Sequence, residues 1–269
     1  MIEILTPDAP IVELRIARAP LNLIDIEALR ALRRHIADAE AAATRGIVIS
    51  GLPGVFSSGV DMAPLVNSDR DTVRAYWREV FLLAAQMAQC TLPVVSAITG
   101  HCLASGTLLA VFCDYRVMAE GPFKIGFNEV RVGVALPECF QYALRRVVGA
   151  LNAERMFVFG KILDPQQALS IGLVDELAAP DDVAPRARAR LQELLDMPRH
   201  GVDAMRSIAR HDLAERFADV ERLPLDDFVD AFLKPETQAV LRHVVEQAAA
   251  RFRQAGGAAH PAAASGVAR

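Results

Sequence analysis

The chain has 269 residues, of which 52% are hydrophobic and 23% charged, and its formal net charge is −4. This suits a globular protein with a large core, at a length where an α/β fold is often one domain. The charge gives no footing for nucleic acid, and the longest apolar run, residues 108–113, is far too short to cross a bilayer.

The first residues, Met1-Ile2-Glu3-Ile4-Leu5-Thr6-Pro7, lack the basic end and long apolar stretch of a signal peptide. Cys90, Cys102, Cys113 and Cys139 form no C-x-x-C pair, and no histidine stands at metal-ligand spacing. Buried, reduced thiols of a cytoplasmic protein are expected, with no metal.

Residues 11–17 alternate in part and predict a strand, broken by the turn Arg18-Ala19-Pro20-Leu21-Asn22. From Ile26, apolar residues recur at Leu29, Leu32, Ile36 and Ala39, a helical spacing with Asp25 as N-cap. Residues 46–51 read as a strand covered on both faces. A loop follows, then a helix over about 71–89, which carries Val73, Tyr76, Val80, Leu83 and Met87 on one face. Pro93 stops any continuation. Residues 94–98 predict a buried strand, 103–112 a short buried helix, and 115–119 another strand.

The second half is read as helical. Asp164-Pro165 is a cap followed by proline at the first helical position, and Gly172 closes that helix. Amphipathic stretches cover about 183–195, 202–217 and 236–252. The first of these holds Arg186, Arg188 and Arg190, read as a solvated face. Residues 254–269 are Ala/Gly-rich without pattern and are expected to be disordered.

Three segments carry chemistry. Phe56-Ser57-Ser58-Gly59-Val60-Asp61 and Gly100-His101-Cys102-Leu103-Ala104-Ser105-Gly106 are glycine-bearing turns. Gly59 permits a backbone that aims the Val60 N–H into a cleft. The second turn leads into a helix N-terminus, where unpaired N–H groups favour an anionic oxygen. The third, Ile125-Gly126-Phe127-Asn128-Glu129-Val130-Arg131-Val132-Gly133, places a lone carboxylate among mostly apolar residues. Two backbone donors and one carboxylate suffice to move a proton beside a carbonyl.

Together, these segments resemble the crotonase family, also called the enoyl-CoA hydratase/isomerase family. Further matching pieces are Leu92-Pro93-Val94-Val95-Ser96-Ala97-Ile98-Thr99-Gly100, Cys113-Asp114-Tyr115-Arg116, Val148-Gly149 and Ala168-Leu169-Ser170-Ile171-Gly172-Leu173-Val174-Asp175. The resemblance covers roughly residues 10–252. Within the family, the chain is most similar to the mitochondrial-type Δ3,Δ2-enoyl-CoA isomerases, in its Pro-x-Asn turn, its Ala-x-Gly lead into the buried helix and its Ile-Gly-x-Asn-Glu segment.

The resemblance implies an α/β fold with a ββα superhelix core over residues 1–198, a C-terminal helical trimerisation region over 199–253 and a tail over 254–269. It implies an acyl-CoA thioester substrate, with coenzyme A as part of the substrate and no separate cofactor. The thioester oxygen would sit between the N–H groups of Val60 and Ser105, the latter a departure from the usual glycine. Pro20, Asn22, Ser58, Gly59, Asp61, Met62 and Gly106 would shape the binding cleft, with Asp61 also organising its own loop.

Family members that hydrate generally use two glutamates. Glu129 matches the second, whereas the first falls on Leu108, which argues for isomerisation over hydration. Glu138 is a possible auxiliary acid, though an ordinary glutamate at a helix start is the stronger reading. His101 reads as structural, and Asp114 and Arg116 as a buried pair. Homotrimers or hexamers are expected, with no nucleic-acid or membrane partner. Weak hydration, retro-Claisen cleavage and non-catalytic acyl-CoA binding are the competing functions.

Overall fold

The computed structural model describes residues 1–6 and 10–254. Its frame is a six-stranded sheet in the order β1 (Ile2–Leu5), β2 (Ile11–Ile16), β3 (Gly46–Ser50), β5 (Val94–Ile98), β7 (Tyr115–Ala119), β10 (Glu176–Ala178). Only β1 and β2 pair antiparallel; the other neighbours are parallel. A second sheet runs β4 (Gly54–Ser57), β6 (Gly100–Leu103), β8 (Ile125–Gly126), β9 (Ile162–Leu163).

The connections repeat. Strand β3 passes to β4 and then to helix α2 (Arg70–Gln89); β5 passes to β6 and α3 (Ser105–Val111). Strand β7 passes to β8, a 3-10 turn (Glu129–Val132) and α4 (Glu138–Phe159). Each coil adds one parallel strand to each sheet and one helix, so the expected ββα superhelix is present. Sequence spacing hides it, because the second strand of each coil has only two to four residues.

Helix α1 (Ile26–Ala41) buries Leu29, Leu32, Ile36 and Ala39, and the Asp25 carboxylate caps it by accepting from the Ala28 N–H at 2.8 Å. The main core lies between the sheets and helices α1 to α4. On the outer face of the first sheet, α6 (Val183–Leu195) lays down Val183, Ala187, Leu191 and Leu195, a stripe at every fourth residue. It covers Val48, Val95, Ala97 and Val117, so β3 and β5 are buried on both faces as their continuous apolar runs predict. Between α4 and α6, α5 (Pro165–Ser170) starts with a capping box built by Asp164 and Gln167. The chain ends in α7 (Arg199–Arg216), α8 (Leu225–Phe232) and α9 (Pro235–Gln254).

Several expectations are corrected. Asp114 and Arg116 do not pair with each other. Adjacent pairing loses to geometry: Asp114 holds Arg206 and Arg210 of α7 at 3.0 and 3.1 Å, while Arg116 turns to Asp175 at 2.9 Å. The buried helix starts at Ser105, because residues 100–103 extend the second sheet. Arg186 and Arg190 are not simply solvated, since Arg190 Nε donates to Glu176 at 2.7 Å and Arg186 binds the same carboxylate. The four cysteines are buried and free, as expected. Among the described residues no helix is long and apolar enough to cross a membrane. The tail beyond 254 lies outside the described residues.

Candidate active site

Strands β4, β6 and β8 are parallel neighbours. Their carboxyl ends therefore lie side by side, at spacings of about 4.8 Å. Val60 follows β4, Ser105 follows β6 and Glu129 follows β8. The three groups singled out from the sequence are thus gathered at one edge of the second sheet, the end where parallel strands tend to present ligand sites.

The Val60 wall is fixed by backbone pairing. Ile24 takes both neighbours of Val60: its N–H donates to Gly59 O at 2.8 Å, and its carbonyl accepts from the Asp61 N–H at 3.1 Å. In such a parallel bridge the intervening residue turns its own N–H and carbonyl the other way. Gly59 has φ +98°, and a Cβ there would lie 2.8 Å from Ala104 Cβ and 3.4 Å from Ser105 N. Only glycine fits both the angle and the space, and the two donor-bearing turns meet at this point.

Asn22 anchors the same wall. It is completely buried; its Nδ2 donates to the Ile16, Val55 and Phe56 carbonyls, and its Oδ1 accepts from the Arg18 N–H at 2.8 Å. Those bonds occupy its amide and hold the backbone of this wall. Asp61 is buried too and accepts from Arg18 Nη1 at 3.0 Å and from the Ala63 N–H at 3.4 Å. This is the expected loop-organising part. Ser58 is buried and Met62 half-buried on the same loop, while Pro20 is exposed at its outer edge.

Ser105 is the first residue of α3, where the N–H has no carbonyl behind it in the helix. The strain at this turn sits on Ala104, at φ 52° and ψ −123°. A non-glycine residue here costs on the order of 1–3 kcal/mol and typically marks a functional turn. Nothing in the sequence signals it, since alanine is not a residue expected at positive φ. Gly106 is needed for close approach: a Cβ would fall 2.7 Å from Ser57 O.

Glu129 is tied to this turn through the second sheet. The Ala104 N–H donates to Gly126 O at 2.9 Å. Thr107 Oγ1 lies 2.6 Å from Cys102 O and 3.0 Å from Gly126 O, and accepts from the Gly126 N–H at 3.1 Å. Thr107 was missed by the sequence reading; a buried threonine in a helix N-terminal turn is the signal that points to such a staple.

The Glu129 carboxylate Oε2 is closed off from solvent and has no hydrogen-bond partner among the described residues. Burial pushes its pKa from 4.5 up to about 7, with the N–H groups of Glu129 and Asn128 pulling weakly the other way. Such a carboxyl titrates where a general base works best.

Leu108 is buried one helical turn after Ala104 and lines, with Ser105, Leu109, Phe112, Leu83 and Met87, a small apolar cavity of about 20 Å³. Glu138 stands at the start of α4 and binds Arg216 at 3.1 Å and Arg145 at 3.7 Å on the surface. His101 is half-buried, accepts from the Lys124 N–H through Nδ1 at 3.2 Å and packs edge-on against Phe123, which satisfies it structurally. A larger cavity of about 430 Å³ lies elsewhere, between the end of α2 and α7. Of its arginines, Arg206 and Arg210 are committed to Asp114 and to backbone carbonyls, Arg45 donates to Leu195 O and Arg199 pairs with Asp203.

The chain is similar to known proteins along most of its length. The chain is 29% identical over 246 residues to the human mitochondrial enoyl-CoA delta isomerase 1, covering 90% of this chain and 82% of the relative. It is 32% identical over 235 residues to a probable enoyl-CoA hydratase of Mycolicibacterium paratuberculosis, covering 82% and 88%. The crystal structure of human mitochondrial Δ3,Δ2-enoyl-CoA isomerase superposes with a TM-score of 0.87 at 27% identity, over 95% of this chain and 99% of that one. A sequence profile described as enoyl-CoA hydratase/isomerase matches residues 7–255. With nearly the whole chain matched, and with the repeated coil of strands described above, the protein belongs to the enoyl-CoA hydratase/isomerase family.

Proposed function

We propose that the protein is an enoyl-CoA isomerase that moves a double bond from position 3 to position 2 of an acyl-CoA. The observation that carries this reading is the lone carboxylate: Glu129 has a sealed, unpartnered oxygen, and Leu108 occupies the helix position where a second acid would stand. The thioester oxygen is held by the N–H groups of Val60 and Ser105. Glu129 takes a proton from carbon 2, and the electron pair of that C–H bond spreads into a dienolate with its charge on the thioester oxygen. The same carboxyl group returns the proton to carbon 4, which leaves the double bond between carbons 2 and 3. One group that takes and returns its own proton needs no second acid, and no cofactor beyond the coenzyme A of the substrate enters the scheme.

Hydration is the second reading, favoured by the similarity to a probable hydratase. Leucine at 108 can neither orient nor protonate water, so hydration of crotonyl-CoA is expected to be slow or absent. Proton NMR of turnover mixtures in heavy water, begun from 3-enoyl and 2-enoyl thioesters, decides among these. Isomerisation with exchange at carbon 2 supports the proposal, and hydration of crotonyl-CoA as fast as isomerisation rejects it. Binding without any exchange identifies a non-catalytic acyl-CoA-binding protein.

The assembly proposed is a homotrimer or a pair of trimers. Phe159 at 71% exposure, with Val158 and Leu151 on α4, and Ile208 at 72%, with Met205 on α7, leave apolar side chains in water on a single chain. A monomer by light scattering at micromolar concentration rejects it.

A further inference from the structure

The start of helix α9 touches both walls of the cleft. On the Glu129 side, Thr237 Oγ1 donates to Gly133 O at 3.2 Å. Gly133 ends the turn that begins with Glu129, and the Gly133 and Val134 N–H groups return to Val130 O and Glu129 O at 3.2 and 3.0 Å. The fit is close: with φ +75° at Gly133, a Cβ there would meet Thr237 Oγ1 at 3.2 Å. On the Val60 side, Gln238 Oε1 accepts from the Asn67 N–H at 3.4 Å, and Arg242 Nη1 donates to Asn67 Oδ1 at 3.0 Å. Asn67 lies on the segment that continues from Val60 and Asp61 into α2.

Thr237 and Gln238 are the buried polar residues of this helix, at 4% and 7% exposure, next to exposed Glu236 and Val240. Leu241 pins the helix to the core. A surface helix needs only apolar groups on its inner face to dock. Gln238 also donates through Nε2 to Phe232 O at 3.0 Å, which fixes its amide so that Oε1 faces Asn67. Two buried polar side chains, one reaching each wall, are a geometric constraint beyond docking.

We infer that α9 is a strap across the cleft, and that Thr237 and Gln238 are positioning residues that hold the Glu129 turn against the Val60 wall and keep water from the carboxylate. This rests on the isomerase reading for its catalytic meaning, though not for its structural content. Neither residue touches a reacting atom; each acts through the backbone of a wall. The charged groups on the elements around Glu129 are committed elsewhere. Arg131 Nε donates to Gly160 O, Glu138 binds Arg216 and Arg145, Arg242 binds Asn67, and Glu236 is exposed. Exclusion of water is therefore the main influence that the strap has over Glu129.

The test is a carboxyl-carbon NMR titration of the full-length protein labelled at glutamate Cδ, with the Glu129 resonance assigned through Glu129→Gln. In the wild type, Glu129 should titrate near pH 7. In Thr237→Val combined with Gln238→Leu, which keep the bulk and remove the bonds, the midpoint should fall by about one pH unit as water enters. Isomerase kcat should drop roughly five- to tenfold, the effect of losing about one net hydrogen bond, with KM for the thioester little changed. Thr237→Ser in place of Thr237→Val should restore part of both. Val240→Ala, on the outer face of the same helix, should change neither. An unchanged midpoint and kcat in the double variant overturn the strap, as does an equal effect from Val240→Ala, which would reduce it to helix stability. A shifted midpoint in a protein whose wild type shows no isomerisation keeps the strap and removes the isomerase reading; the converse pattern does the reverse.

Discussion

On the Val60 wall, both groups that the proposed mechanism assigns to the substrate oxygen are backbone N–H groups. Their aim is set by Ile24 pairing, by the amide of Asn22 and by the contact between Gly59 and Ala104. On the Glu129 wall, the group proposed to react is a side chain whose Oε2 has no partner among the described residues, and whose backbone is tied down through Gly126 and Gly133. The first wall stores its function in conformation and tolerates changes of side chain. The second rests on one carboxylate with an oxygen closed off from water, at a cost in stability. Substitutions on the two walls should therefore fail in different ways.

The largest effect is expected from Glu129→Gln. Glutamine keeps the size and cannot take a proton, so isomerisation should fall by about 10²–10⁴-fold, the range of general-base contributions. Acyl-CoA binding should persist, because the donors and the coenzyme A contacts remain. Glu138→Gln, beside it, should stay near wild type, since Glu138 is engaged with surface arginines. Steady-state rates and a binding titration on both variants check this. Turnover kept by Glu129→Gln and lost by Glu138→Gln would move the base to Glu138.

Next in size is Gly59→Ala. A methyl group meets Ala104 Cβ at 2.8 Å in a backbone held at φ +98°, so the turn must shift and carry the Val60 N–H with it. Loss of one such donor costs on the order of 10²–10³-fold in kcat. Circular dichroism should show the fold intact while kcat collapses. A kcat within threefold of wild type would mean that Val60 is not a donor.

The cost of the Glu129 wall should be visible in stability. The folded-state pKa of about 7 lies above the unfolded 4.5, so the stability present below pH 4.5 is lost as the pH rises through 7. Glutamine does not ionise. Glu129→Gln should thus be more stable than wild type at pH 8 by up to about 3 kcal/mol, with the difference vanishing near pH 4. Thermal melts at the two pH values test this, and an equal gain at both would remove burial of the charge as its cause.

The two walls also differ in how well the sequence displays them. Helix α1 is legible from end to end, because the spacing of Leu29, Leu32, Ile36 and Ala39 is helical and Asp25 caps it. Strands β3 and β5 are legible as continuous apolar runs. The short strands β6 and β8 are not, because two to four residues cannot show a period, and yet they place Ser105 and Glu129 side by side. Gly59 and Glu129 stand out by residue type. The strain at Ala104, the staple at Thr107 and the strap at Thr237 depend on partners 19 or more residues away or on a backbone angle, and local pattern carries neither. The Asp114–Arg116 expectation failed for the same reason: the true partners, Arg206, Arg210 and Asp175, come from distant segments.

The smallest effect should come from Ser105→Ala, and its smallness is informative. The donor proposed at this position is the backbone N–H at the start of α3, and the positive φ that forms the turn belongs to Ala104. Ser105 itself is outside the left-handed region, so neither glycine nor any particular side chain is required to aim its N–H. The side chain borders the apolar cavity with Leu108 and Phe112, where a methyl group is at least as comfortable as a hydroxyl. The variant should keep kcat within about threefold of wild type, far from the loss that removal of an oxyanion donor brings. If kcat falls a hundredfold instead, the hydroxyl takes part in the reaction, and the first wall depends on a side chain just as the second does.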